Sequence, residues 1–464
     1  MLRDLFRIKP LVLAHQETSL RRSLGAFDLI LLGIGAIIGA GVFVITGIAA
    51  ATKGGPAITI SYVVAGIASL FAALAYAELA SSIGGCGSAY AYAYAGFGEF
   101  IAWLIGWNLI LEYAMSVATV AIGWSGYVNN LLQTLNIHIP DALQKNPFEG
   151  GVINFLAFGI VILLSILLSI GTKQSARFNA CIVFIKLATV AMFIIVASQH
   201  VNPANWSNFA PFGWTGIMQG AALVFFAYIG FDALSTAAEE TVNPQRNLPI
   251  GIIGSLIICT FIYIIVSALL TGIVPYDTLN VQSPVSDALL RLGFPIAAGI
   301  IAAGAIAGLT TVMLVMYYGF TRVCFAISRD GLLPKFFSNI NHRTHTPISL
   351  IMLSGIVIAL IACFTPIDRV AELVNIGTLT AFAFVCGGIV ILRWTKPEMH
   401  RPFKTPWSPV LPILGVLTCL YLMLNLPSIT WWRFVIWTII GIIIYFTYSR
   451  QKSLLNIKNN SQPK

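Results

Sequence analysis

Twelve stretches of this chain are apolar enough, for long enough, to cross a lipid bilayer. They run over about residues 25–50, 57–82, 99–130, 151–171, 177–199, 215–240, 249–274, 294–327, 347–364, 370–393, 409–427 and 431–449, numbered here as spans 1 to 12. A helix needs about 20 apolar residues to cross the hydrocarbon core. Backbone N–H and C=O groups inside lipid must find partners within the protein, which leaves only helices or a closed barrel. Barrel strands alternate apolar and polar residues, and these runs do not. Turn residues or charges separate them: Lys53-Gly54-Gly55-Pro56, Pro140-Asp141, Gly171-Thr172-Lys173, Asn202-Pro203, Asn243-Pro244, Pro275, Thr365-Pro366 and the stretch from Pro402 to Pro406. Composition agrees, with 58% hydrophobic and 9% charged residues, where soluble domains carry about a quarter charged. The expected fold class is an all-α polytopic membrane protein with about 12 transmembrane helices, read as one membrane unit.

Lysine and arginine fix the expected orientation. With the N-terminus inside, 20 of the 26 lysines and arginines fall in inside loops and tails. Outside loops hold only Lys53, Lys145, Arg291, Arg369 and Arg433, and Lys186 alone falls within a span. The expectation is an inner (plasma) membrane protein with both termini cytoplasmic. The net charge of +9 then reflects this asymmetry, not a nucleic-acid surface. The seven cysteines show no CxxC or CxxH spacing, and most lie in apolar runs, so they read as small buried hydrophobes. Residues 1–24 are mixed polar and basic, without the apolar core of a cleaved signal peptide. All six histidines, His15, His138, His200, His342, His345 and His400, fall in loops or tails. No enzyme, metal centre or cofactor is expected from such a set.

Two spans carry signs of interruption. Span 1 holds Gly33, Gly35, Gly39 and Gly41 within nine residues, and each glycine weakens a helix by about 1 kcal/mol relative to alanine. Small-xxx-small packing accounts for Gly35 and Gly39, but not for consecutive small residues at Gly39-Ala40-Gly41. Span 6 holds Phe225-Phe226-Ala227-Tyr228-Ile229-Gly230-Phe231-Asp232. Span 6 opens a second set of five spans as span 1 opens the first, and paired interruptions mark substrate sites in secondary transporters. An unwound segment frees N–H groups at the start of one half-helix and C=O groups at the end of another. The first suit a carboxylate and the second an ammonium. Together they match the zwitterion of an α-amino acid.

Three motifs, Gly35-Ala-Ile-Ile-Gly39-Ala-Gly41, Phe226-Ala-Tyr-Ile-Gly-Phe-Asp232 followed by Glu239-Glu240, and Ser328-Arg-Asp-Gly-Leu-Leu-Pro334, resemble those of the amino acid–polyamine–organocation (APC) superfamily permeases. The likeness runs from about Ser23 to Trp407 and points to bacterial relatives of the cationic amino acid transporter branch. It implies a LeuT-type fold with discontinuous helices 1 and 6. A cytoplasmic N-terminal segment (1–24) would lead into a ten-helix core (25–393) of two inverted five-helix repeats, about 25–199 and 215–393. Two additional helices (409–449) and a cytoplasmic tail (450–464) would follow. The resemblance also implies that Ala40, Gly41 and Val42 offer N–H groups to the substrate carboxylate. Ile37, Phe226, Ala227 and Ile229 would offer carbonyls to the ammonium, with Phe226 shaping a gate.

Ionisable groups within spans cost about 3 kcal/mol on insertion scales, so each is a functional candidate. Lys186 lies nine residues beyond Arg177, roughly 13 Å deep at 1.5 Å per residue, beyond easy snorkelling. It is either a structural tie between helices or a cation that gains and loses a proton during a cycle. By resemblance, its place on span 5 faces the site where sodium-coupled relatives hold sodium, which argues for proton coupling. Glu112, midway along span 3, is either a buried acid in a hydrogen-bond network or a proton-relay group beside the pocket. Asp28, Glu78, Glu99, Glu239 and Glu240 read mainly as cap and loop charges at cytoplasmic ends. Asp232, two residues past the second break, is a stronger candidate. On span 8, Thr310, Thr311, Met313 and Met316 are packing residues unless the span lines the site, where Met316 would favour short substrate side chains.

The expected function is import of an amino acid by proton symport with alternating access, the partners being the amino acid, protons and the bilayer. An amino acid exchanger and a non-transporting sensor are the alternatives, and a small membrane subunit is left open. A channel would need rings of like charge or repeated carbonyl filters, and the sequence has neither.

Overall fold

In a computed structural model, the described residues are 7–8, 24–83, 89–171, 176–235, 241–341, 344 and 346–456. Cys86, Lys173, Glu239, Glu240, His15, His342, His345, Arg343 and the last residues of the tail lie outside them.

Every apolar run carries helix. The long helices are α1 (Ala26–Ile37), α2 (a helical run over 41–54), α3 (Ile58–Ile83), α4 (Ala89–Gly96), α5 (Glu99–Thr134), α6 (Phe155–Ile170), α7 (Ala176–Ser198) and α8 (Gly213–Val224). They continue with α9 (Pro244–Ile273), α10 (Pro284–Arg291), α11 (Pro295–Arg329), α12 (Ile348–Phe364), α13 (Ile367–Thr395), α14 (Val410–Leu424) and α15 (Ser428–Ile444). Among the described residues no strand forms, only a single parallel bridge between Leu24 and Thr241. Eight helical stretches are long and apolar enough to cross a membrane, and α1, α6, α12 and α14 are shorter apolar helices. The separate helices α4 and α10 lie in segments that the apolar count leaves as connections.

The surface argues for lipid. Leu163, Phe261, Val357, Leu417 and Ile436 are all exposed around the middle of their helices. In water such apolar exposure would drive association; in a bilayer it faces the chains it resembles. Inside, α5 packs mainly on α11 and α13, α9 on α1 and α3, and α12 on α6. At 36 residues and 1.5 Å per residue, α5 is about 54 Å long and runs the full depth of the bundle. The last helix is stapled to it by aromatic stacking: the Trp107 and Trp437 rings lie 4.3 Å apart at 14°, and Trp107 Nε1 donates to the Trp437 carbonyl.

Two acidic residues correct the sequence reading. Glu78 is not a solvated end charge: it is buried and accepts from Arg393 Nη2 and the Thr405 amide, both at 2.7 Å, with Arg401 Nε at 3.6 Å. Glu99, also buried, accepts from Tyr94, Tyr445 and Ser453 hydroxyls. Both sit where the chain returns from far away in sequence, so local reading saw only helix ends. Asp28 does act as an end charge, accepting from the Gly25 amide at 2.9 Å. Cys259, Cys324, Cys363, Cys386 and Cys419 are buried thiols, whereas Cys181 is exposed.

Candidate functional site

The chain of span 1 leaves the α-helix at Ile38, whose ψ is 105°. Gly39 bends, and helix resumes through a widened turn at Gly41–Ile45. In span 6, α8 tightens into a 3-10 turn at Phe225–Tyr228, and Ile229 is extended at φ −64° and ψ 136°. Gly230 follows at φ 120°, a conformation that side-chain-bearing residues rarely adopt.

The two interruptions touch. A Cβ on Gly41 would overlap the backbone and Cβ of Ala227, and one on Gly230 would sit 2.8 Å from the Ala36 carbonyl oxygen. Glycine is required at both positions because backbone meets backbone there.

The C-terminal carbonyls of a helix lack partners within it, and in this interior each needs a donor. Three side chains from unbroken helices supply them. Lys186 Nζ, on α7, donates to the carbonyls of Gly35 at 2.7 Å and Ile38 at 3.0 Å. Tyr263 Oη, on α9, lies 2.9 Å from both the Ile37 and the Ala227 carbonyl oxygens. Asn375 Nδ2, on α13, donates to Ala222 at 2.8 Å and Leu223 at 2.9 Å. The Gly41 carbonyl, beyond the first break, accepts from the Thr46 and Tyr62 hydroxyls. Ala40, Gly41 and Val42 begin the second half-helix, where the amides of a first turn have no preceding carbonyls to bond.

Between the breaks lies a cavity of about 10 Å³, room for about one water. It is lined by Ala36, Ile37, Gly39, Ala40, Gly41, Ser116, Val120, Phe226, Ile229, Val312 and Met316. Of the residues expected from sequence, Ile37, Ala40, Gly41, Phe226, Ile229 and Met316 meet there. Val42 and Ala227 belong to the breaks without lining the cavity. The Phe226 carbonyl accepts from the Ile229 amide at 3.3 Å. Lys186 stands behind α1, its aliphatic stem against Gly308 of α11. Glu112 lies one helical turn from Ser116. Its two oxygens, Ser116 Oγ and Asn108 Oδ1 are buried without a hydrogen bond of normal geometry. At spacings of four residues the three share one face of α5, and unsatisfied buried atoms of this kind call for a functional explanation. Asp232 is buried, with Oδ1 accepting from the Gly230 amide at 3.1 Å. Among the described residues no group of three or more His, Cys, Asp or Glu side chains is placed to hold a metal ion.

Sequence reasoning missed Ser116, Val120, Val312, Tyr263 and Asn375. A search for uncharged polar side chains inside spans, and not only ionisable ones, would have raised Tyr263 and Asn375.

Broken helices that meet at mid-bundle around a small, backbone-lined cavity define a carrier for small solutes. The chain belongs to the amino acid permease family, whose model matches residues 24–445. It is 50% identical over 458 residues to the methylthioribose transporter of Bacillus subtilis (strain 168), covering 98% of this chain and 99% of that one. It is 51% identical over 447 residues to the branched-chain amino acid permease of the same organism, covering 95% and 96%. It is 38% identical over 397 residues to the human cationic amino acid transporter 4, covering 84% of this chain and 62% of the human protein. It is a membrane permease and not an enzyme.

Proposed function

We propose that this protein imports a small amino acid by proton symport, through alternating access on a LeuT-type frame of twelve spans. The ten core helices (25–393) form two inverted repeats, two helices (409–449) are added, and both termini face the cytoplasm across the inner (plasma) membrane. The observation that carries the reading is the meeting of two interrupted helices at one cavity, with the ammonium of Lys186 inserted into the carbonyls of the first break.

The amides of Ala40, Gly41 and Val42 take the substrate carboxylate. The carbonyls of Ile37, Phe226, Ala227 and Ile229 surround its ammonium, so recognition of the zwitterion needs no charged side chain. Ser116, Val120, Val312 and Met316 form the wall for the substrate side chain. That wall is apolar apart from one hydroxyl, which favours a short aliphatic group. Substrate entry requires Phe226 and Met316 to move, because the cavity holds about one water. A protonated Lys186 holds α1 against α7, and its deprotonation at the cytoplasmic side releases α1 and the substrate. Glu112 lies beside this route and is the second candidate for proton relay.

The near-equal identity to relatives named for methylthioribose and for branched-chain amino acids sets a competing cargo, which a single assay separates. In proteoliposomes with an inside-negative potential and an inward proton gradient, labelled alanine, leucine and methylthioribose are offered in turn. Concentrative uptake of an amino acid that ignores sodium supports the proposal. Uptake of methylthioribose alone would refute it. Uptake that ignores the proton gradient yet demands internal amino acid would make the protein an exchanger, and binding without uptake a sensor.

A further inference from the structure

Tyr263 places its hydroxyl 2.9 Å from the terminal carbonyls of both breaks. It is fully buried. It sits on α9, a helix that runs unbroken from Pro244 to Ile273. Its ring is wedged between Tyr62 and Tyr228, at centroid distances of 5.3 Å and 5.5 Å. Those two are themselves fixed: Tyr228 Oη donates to the Tyr62 carbonyl at 2.7 Å, and Tyr62 Oη lies 3.1 Å from the Gly41 carbonyl. The Tyr263 hydroxyl therefore has no room to swing away.

A phenol has one proton to donate, so two carbonyls share it. An ammonium brings three. With the site empty, the Ile37 and Ala227 carbonyls depend on Tyr263; with an amino acid bound, the substrate ammonium supplies donors to the same two oxygens. The hydroxyl thus stabilises the closed empty carrier more than the closed loaded one. We propose that Tyr263 is a positioning residue that stands in for the substrate ammonium, allowing the empty carrier to close and return. This rests on the reading that those two carbonyls take the ammonium.

Net uptake requires the empty carrier to return; exchange does not, because the carrier is loaded in both directions. Tyr263→Phe keeps the ring and removes only the donor. The test reconstitutes the full-length protein and its variant and uses the amino acid that the wild type accumulates best, alanine being tried first. Net proton-driven uptake is expected to fall about tenfold, with exchange against internal substrate within about twofold of wild type. The substrate should also raise the melting temperature of the variant more than that of the wild type. Tyr445→Phe, which removes a buried hydroxyl that bonds Glu99 and takes no part in the breaks, should leave the ratio of net uptake to exchange unchanged.

Equal loss of net uptake and exchange in Tyr263→Phe would mark a merely structural tyrosine and overturn the proposal. So would wild-type behaviour in both assays, or a changed ratio in Tyr445→Phe. Because substrate should replace the missing donor, a Tyr263→Phe protein that unfolds as readily with substrate as without it also overturns it. A wild type that accumulates no amino acid defeats the functional reading and takes this inference with it; a transporting wild type with an indistinguishable variant defeats the inference alone.

Discussion

Lys186→Met removes an ammonium buried among the helices while keeping most of its volume. In the structure that ammonium makes two hydrogen bonds, to Gly35 at 2.7 Å and Ile38 at 3.0 Å. Bonds from a charged donor contribute about 1.5–3 kcal/mol each and neutral ones about 0.5–1.5 kcal/mol. Losing the proton therefore weakens the hold on α1 by about 1–1.5 kcal/mol per bond, about 2–3 kcal/mol for the pair. At 1.4 kcal/mol per factor of ten, that shifts the balance between closed and released α1 by about 30- to 150-fold. In the proposed cycle the protonated carrier is the closed one, and proton release on the low-proton side opens it. A shift of this size is enough to couple one proton to one substrate.

In proteoliposomes, a gradient of one pH unit supplies about 1.4 kcal/mol per proton, enough for about tenfold accumulation by the wild type with one coupled proton. Lys186→Met should accumulate nothing above equilibrium at any gradient, while binding and exchange persist at reduced rate. Its carbonyls are left without donors, at about 1–3 kcal/mol each, so a lowered melting temperature is expected alongside. Gradient-driven accumulation by the methionine variant would refute the reasoning. It would show that the lysine is a structural tie and move the coupling site elsewhere, with Glu112 tested next as Glu112→Gln.

Three further outcomes follow from the geometry. Gly41→Ala places a methyl on the Ala227 backbone, so the breaks cannot close: transport should fall by at least a hundredfold, and substrate should no longer raise the melting temperature. Met316→Ala removes the bulk at the end of the wall; the preferred substrate should become longer, with uptake of leucine or methionine rising relative to alanine, read by competition against labelled alanine. Glu78→Gln leaves the Arg393 and Arg401 guanidiniums facing a neutral amide, and disrupting a buried pair typically destabilises by about 3–5 kcal/mol. Reduced thermal stability is expected with substrate selectivity unchanged, since Glu78 does not line the cavity.

The positions of the apolar helices were legible because length and hydropathy act locally. Span 3, expected at 99–130, is a helix at Glu99–Thr134, and span 9, expected at 347–364, is one at Ile348–Phe364. Glycine density drew attention to the stretch that bends at Ile38 and Gly39. What stayed hidden depends on which face a helix turns inward. In a span that is apolar all round, a single tyrosine or asparagine leaves the hydrophobic signal intact, so nothing local shows which face Tyr263 or Asn375 takes. Glu78 was misread for a related reason: Arg393, its partner, is 315 residues away, and only the folded chain brings the two together. The charge of a residue is written in the sequence, but the company it keeps is not.

The donors at the breaks and the residues around the cavity divide into two sets with separate physical tasks. Lys186, Tyr263 and Asn375 bond to backbone carbonyls, and Gly230 clears room for backbone. None of these four lines the cavity, so on the proposed reading they can tune closure and proton coupling without discriminating among amino acids. Ser116, Val120, Val312 and Met316 line the cavity and meet the breaks by packing, so on the proposed reading they can alter cargo without altering how the carrier closes. Between the two sets runs the face of α5 that carries Asn108, Glu112 and Ser116, whose unsatisfied atoms touch both tasks: Ser116 belongs to the wall, and Glu112 is one turn further along the same helix. On the proposed reading, a substrate that hydrogen-bonds Ser116 acts on the helix that also carries Glu112.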